Sequence, residues 1–339
     1  MLEKPDVKDE QLINCLENAY ELSVEQITFL PLGGDLSSAV YRVVAGDKKT
    51  YFCKLRRGVF NENSVALPKY LNKQGITQII PPLVSHSGQL RIELDEFMLV
   101  LYPFVEGMNG YDVELSEHQW ADFGAALKQI HALQVPPELS PKIRRESYSP
   151  EWRETCRNIL RRLDEETFED SIILEMIAFL RSKREMVLHA ILRAEQLVHL
   201  MLHRSMKFVL CHSDIHPGNL FIDNKGSLFI VDWDYPLLAP KERDLMFIGG
   251  GQGFIPYIAE REEKLFYRGY GPVQPDPVAL VYYRYERGIM DISVECDRIL
   301  SNTLGRETRA QAFEILKLYF LPGCTIEIAS AADQIIGFD

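Results

Sequence analysis

Cysteine is sparse and unpaired in this sequence: six residues, at 15, 53, 156, 211, 296 and 324, contain no Cys-x-x-Cys motif. That pattern argues against disulfides or a zinc ribbon and suits reduced, mostly buried thiols. No uncharged stretch approaches the roughly 20 residues of a membrane span, and the first residues lack the apolar core of a signal peptide. A cytoplasmic protein with no membrane partner is expected. Positive charge is also short, with 37 Lys and Arg against 49 Asp and Glu and a net charge of −12. This excess of acid argues against a nucleic-acid partner and suits a cationic small molecule. Repeats and low-complexity segments are absent. The composition says nothing of oligomeric state.

What is present divides at residue 107. A chain of 339 residues stretches a single core, so two lobes are expected. Residues 10–20 carry Leu12, Ile13, Leu16 and Tyr20 at helical spacing. Strand-like runs follow at 26–30, 39–44, 51–55, 89–93 and 97–102, with a helix over 61–74 that Pro68 should break or delay. Residues 1–106 thus read as a small antiparallel α+β lobe. Residues 107–339 read as mainly helical, with a capping box at Ser116 and Gln119. The helical period over 171–204 exceeds the usual helix length, so an interruption or a long helical hairpin is expected there.

One segment carries the chemistry. His212, Asp214, Asn219 and Asp232 stand at the spacing of a kinase active site. Residues 206–210 form an apolar strand, and the polar loop after it presents Asp214 as catalytic base. Pro217 and Gly218 turn the chain and deliver Asn219 before a short strand at 220–222. A hairpin through 223–226 returns over 227–231 to Asp232. Asn219 and Asp232 therefore meet at one hairpin edge, where both can offer oxygen to Mg²⁺ on ATP phosphates. His212 reads as a loop brace.

Other parts of a kinase can be placed around that segment. Lys54, on a strand of the first lobe, is expected at the α- and β-phosphates, with Glu62 as its ion-pair partner eight residues on. The loop containing Gly34, Ser37 and Ser38 lacks Gly-x-Gly-x-x-Gly spacing, yet its amides and hydroxyls can contact phosphate. Residues 101–107 fit an adenine-binding hinge, with the Pro103 carbonyl and the Val105 amide as contacts.

His212-Ser213-Asp214-Ile215-His216-Pro217-Gly218-Asn219 and Val231-Asp232-Trp233 resemble the aminoglycoside phosphotransferase and choline kinase superfamily. Segments 148–154, 233–236, 239–251 and 282–287 are similar to its spectinomycin 9-phosphotransferase branch. The resemblance implies a bilobal protein-kinase-like fold, ATP with Mg²⁺, and transfer to a hydroxyl of spectinomycin or a similar aminocyclitol. Asp214 takes the base role, Asn219 and Asp232 the metal roles, and Lys54 the phosphate role. Asp234, Tyr283, Glu286 and Asp291, with Asp214, are the expected substrate residues, because methylated amines call for acidic and aromatic neighbours. Asp244 is expected to brace the catalytic loop. A metabolic kinase for choline, homoserine or methylthioribose and a non-catalytic nucleotide-binding protein are the alternatives.

Overall fold

Alternating apolar residues build the first lobe, seen in a computed structural model that describes residues 4–32, 37–250 and 259–336. Helix α1 (Asp9–Tyr20) precedes β1 (Val24–Leu30), β2 (Ser38–Ala45) and β3 (Thr50–Arg57). Helix α2 (Asn63–Lys73) then leads to β4 (Ile92–Leu94) and β5 (Phe97–Pro103). The five strands form one antiparallel sheet in the order β1-β2-β3-β5-β4. On one face Tyr41, Val43, Cys53, Leu55, Leu99 and Leu101 pack with Leu12 and Leu16 of α1. Truncating a buried leucine such as Leu12 to Ala would cost about 2–5 kcal/mol. Because strand side chains alternate, Val40, Lys54 and Val100, in register across three strands, belong to the other face. That face looks into the cleft.

Helix α2 runs through Pro68 without the expected break. The ring removes one backbone donor, but Pro68 is buried and its neighbours Leu67 and Leu71 join the larger core of the second lobe. Burial of that face offsets the missing bond.

The second lobe opens with β6 (Gly107–Asn109) and α3 (Glu117–Ala132). Ser116 and Gln119 close the expected capping box, Ser116 N donating to Gln119 Oε1 at 2.8 Å and Gln119 N to Ser116 Oγ at 3.3 Å. Next come β7 (Arg144–Arg145), α4 (Glu151–Glu165) and α5 (Ser171–Leu202). The interruption expected in α5 does not occur over its 32 residues. Asp170 caps it by accepting from Ile172 N and Ile173 N, and a buried stripe from Ile172 to Met201 keeps its whole length docked.

Strands β8 (Phe208–Cys211), β9 (Leu220–Asp223), β10 (Leu228–Ile230) and β11 (Leu237–Pro240) follow, then α6 (Glu242–Leu245), α7 (Ala259–Tyr270), α8 (Pro277–Leu300), α9 (Arg306–Leu318) and α10 (Thr325–Ile336). Two small sheets, β10-β9-β6 and β7-β11-β8, frame the catalytic loop. Helix α8 is the central pillar: Asp276 caps it through Val278 N and Ala279 N, and Pro277 occupies its first turn. Among the described residues no helix is long and apolar enough to cross a membrane.

Candidate active site

The loop after β8 is held from below by one buried carboxylate. Asp244 accepts from His212 N at 2.9 Å, Ser213 N at 2.7 Å and His131 Nε2 at 3.0 Å. Burial alone would raise its carboxyl, but the hydrogen bond and charge of His131, with further help from the loop, hold it below the usual range. Asp244 therefore braces the loop as the sequence suggests. Cys211 lies beside His131 and Asp244, but its thiol donates to the Ala239 and Pro240 carbonyls while His131 and Asp244 bond each other, so all three side chains already have partners. Ser213 sits at φ +72°, a left-handed conformation that costs roughly 1–3 kcal/mol for a non-glycine residue. Its Oγ donates to Tyr235 O at 2.6 Å, which with Asp244 fixes the turn.

His212 orders the next residue. Its Nε2 donates to Val231 O at 2.9 Å, which leaves Nδ1 to accept from Asp214 N at 3.3 Å. Asn219 completes the loop by donating Nδ2 to Asp214 O at 2.7 Å. Asp214 has its Oδ1 bonded by Arg287 Nη1, while Oδ2 stands 3.7 Å from His216 Nε2. Burial would raise this carboxyl, but Arg287, and after it His216, outweigh that and hold it far below the usual carboxylate range. Burial pushes His216 down to about 4, so the ring is neutral near pH 7. It stacks on Tyr111 with centroids 5.7 Å apart.

The metal-ligand candidates come from the hairpin, as the spacing predicts. Strands β9 and β10 pair through Ile222 and Leu228, and Val231 N donates to Asn219 O at 3.0 Å, so the two ends of the hairpin stay together. Asp232 follows at φ +63°, which re-aims the chain toward the cleft. Its Oδ1 accepts from Lys54 Nζ at 3.0 Å. Two oxygen donors, the Asn219 amide oxygen and the Asp232 carboxylate, suit a hard cation such as Mg²⁺.

The expected partner of Lys54 requires correction. Glu62 stands at the N-cap position just before α2, makes no side-chain capping bond, and pairs with Arg91 Nε at 2.6 Å instead. Helix α2 contains no acidic residue, so nothing on it can reach the lysine. Lys54 is anchored across the cleft by Asp232 and by Asp234 Oδ2 at 2.7 Å. Arg56, next along the same face of β3, also pairs with Asp234 and stacks over Tyr235 at 5.0 Å. Burial would lower the Lys54 ammonium, but Asp232 and Asp234 raise it, so it remains charged. Asp234 thus serves as an interlobe tie, and Arg56 is a cleft residue that period-two reading from Lys54 would have found.

The remaining expectations divide. Phe104 N donates to Thr50 O at 3.1 Å, which fixes the hinge between Pro103 and Val105 against β3. Beyond it, Glu106 O accepts from Asn224 N at 3.1 Å and β6 pairs with β9; a Cβ on Gly107 would lie 2.0 Å from Ile222 O. Gly34 lies outside the described residues. Ser37 and Ser38 line a cavity of about 600 Å³ with Arg57, Asp297 and Arg298. Tyr283 and Glu286 are corrections: Tyr283 is 1% exposed beneath Arg243, and Glu286 is buried against Arg153 of α4. They face the packing of α8, not the cleft. Asp291 does approach the site, since Arg287 Nε lies 2.8 Å from its Oδ1 while the same arginine bonds Asp214. Arg287 is not among the expected site residues, since the sequence suggests at most a structural ion pair with Glu286; it pairs instead with Asp291, whose i to i+4 spacing is the signal the sequence carries.

A two-lobed fold with a lysine facing paired acids across its cleft defines an ATP-dependent small-molecule kinase. The chain belongs to the phosphotransferase enzyme family known as APH, whose model matches residues 28–256. It is similar to spectinomycin phosphotransferase APH(9)-Ia solved with ADP and spectinomycin, at 34% identity over 97% of this chain and 100% of that one, with a TM-score of 0.88. The AMP-bound complex of the same phosphotransferase gives 33% identity, coverage of 96% and 99%, and a TM-score of 0.83. Amicoumacin kinase hAmiN, in complex with AMP-PNP, Ca²⁺ and Ami, shares the fold at 18% identity, coverage of 94% and 95%, and a TM-score of 0.62. No match is found among curated proteins.

Proposed function

We propose that this kinase phosphorylates a hydroxyl of spectinomycin or a similar cationic aminocyclitol, with Asp214 as base. The observation that carries the reading is the convergence of Asp214, Asn219, Asp232 and Lys54 on one cleft, with Lys54 bridging to Asp232 at 3.0 Å. The substrate assignment is supported by end-to-end similarity to an enzyme solved with ADP and spectinomycin. The net charge of −12 also suits a cationic acceptor.

In this mechanism the acceptor hydroxyl binds at Asp214 Oδ2, the oxygen that Arg287 leaves open. Asp214 orients the hydroxyl and takes its proton as the new O–P bond forms to the γ-phosphorus of ATP and the bridging P–O bond breaks, with ADP leaving. Lys54 places positive charge at the donor phosphates. Asn219 and Asp232 would hold Mg²⁺, which when bound offsets charge on those phosphates. Asp214 is already ionised, so it acts chiefly by position. Pro103 and Val105 supply the adenine contacts. The six cysteines, all unpaired, suit a reducing compartment and hence the cytoplasm.

The test is a panel with labelled ATP. Transfer to spectinomycin, and not to choline, homoserine or kanamycin-type aminoglycosides, is expected. Preferential transfer to choline or homoserine would replace the antibiotic reading with a metabolic one, and no transfer to any hydroxyl compound would remove the substrate assignment.

A further inference from the structure

We infer that Arg287 is a positioning residue for the transfer step, holding Asp214 in its reactive orientation and held in turn by Asp291. The inference rests on Asp214 being the base. Arg287 and Asp291 are one turn apart on α8, and the Nε to Oδ1 distance is 2.8 Å. The other end of the guanidinium bonds Asp214 Oδ1. Its side chain is 11% exposed and that of Asp291 9%, against 36% for Asp214. Arg287 also lies over the Phe247 ring at 5.3 Å. A guanidinium pinned by a carboxylate on one edge and an aromatic face below has little freedom, so the carboxylate it bonds on its other edge is fixed as well.

This arrangement divides the two oxygens of Asp214. Oδ1 belongs to Arg287, and the backbone on either side is set by His212 and Asn219. Among the described residues Oδ2 has no partner nearer than the His216 ring at 3.7 Å and is the oxygen available to a hydroxyl. Without Arg287 the carboxylate can rotate about its Cβ–Cγ bond, and either oxygen can turn toward the cleft. A misplacement of about 1 Å at a reacting group costs on the order of 10²-fold in rate. A surface-type brace would show no such dependence. The acidic group on α8 that governs Arg287 is Asp291, so the helix forming the back of the second lobe sets the aim of the loop in front of it.

The experiment uses the full-length enzyme with spectinomycin and ATP. Arg287→Ala should lower kcat roughly 10- to 100-fold with KM for ATP unchanged, and added methylguanidinium should recover part of kcat. Arg287→Lys, which keeps charge but loses the planar fork, should fall between the two. Because Arg287→Ala leaves buried Asp291 unpaired, the double variant Arg287→Met with Asp291→Asn provides a second route if the single one does not fold. Normal kcat in either folded variant would overturn the inference. So would a kcat loss that methylguanidinium does not touch and that tracks a lowered Tm, since this is the signature of a structural brace. Asp214→Asn serves as the control: if it turns over normally, the base assignment itself fails, independently of the Arg287 result.

Discussion

Lys54 of the first lobe ends 2.7 Å from Asp234 of the second, with Asp232 at 3.0 Å on the same ammonium. The lysine is oriented by the opposite lobe, because α2 has no acid to offer and Glu62 is taken by Arg91. Asp234→Asn is therefore expected to raise KM for ATP about 10-fold or more, within the roughly 1.5–3 kcal/mol of a charged hydrogen bond. Glu62→Gln should leave that KM unchanged. Initial-rate kinetics on both variants decide it, and the reverse pattern would return the anchoring role to Glu62.

Asp232→Ala should act on the metal. With that carboxylate gone, ATP affinity is expected to lose its dependence on Mg²⁺ while the fold persists. Calorimetric titration of ATP with and without Mg²⁺ is the measurement. A variant as responsive to Mg²⁺ as the parent would make Asp232 a partner of Lys54 alone.

For Glu286 the structure changes the expected outcome. It is 7% exposed and paired with Arg153, whose guanidinium also donates to the Tyr148 and Ser149 carbonyls. Glu286→Gln should lower stability by up to about 3–5 kcal/mol, the range for breaking a buried pair, and leave KM for spectinomycin unchanged. Denaturant midpoints and kinetics on the same sample separate the two effects. A KM change at constant stability would place Glu286 in the substrate site after all.

Asp244→Ala should destabilise the catalytic loop by about 3–5 kcal/mol, since it strands two backbone donors and His131. The sign of the pH effect follows from the depressed folded-state value. A carboxyl lowered on folding contributes stability above its unfolded pKa of about 3.9, and that share is lost as pH falls through the folded value. Urea unfolding of the parent should therefore weaken progressively below about pH 4, and the variant should lack that part of the slope. Parallel curves for the two proteins would show that Asp244 stays neutral or unimportant in the fold.

Much of this was legible in the sequence, and the failures have physical causes. The strands of the first lobe and the hairpin from Asn219 to Asp232 follow from period-two alternation and turn residues, which are local signals. The partner of Lys54 was not local. Sequence proximity pointed to Glu62, whereas the pairing residue stands 180 positions away on the other lobe. Arg287 likewise meets Asp214 across 73 positions, and only the folded α8 brings them together. In α5 the helical period was visible throughout, but typical helix length argued for a break that the buried stripe made unnecessary. Tyr283 and Glu286 share α8 with Asp291, yet they turn toward α4 and the lobe interior, because a helix of 24 residues packed all round buries every face.

The strand that leaves the hinge, β6, is hydrogen-bonded to β9, and β9 begins at the residue after Asn219. With Glu106 O bonded to Asn224 and no room for a side chain at Gly107, the two cannot slide past each other. The exit of the hinge at Gly107 and the hairpin that carries Asn219 at its foot are thus one piece of sheet, a gauge of fixed length within the second lobe. A shift of the first lobe would carry Lys54 and Arg56 away from Asp232 and Asp234 without altering that gauge, so the cleft has one fixed wall and one that travels.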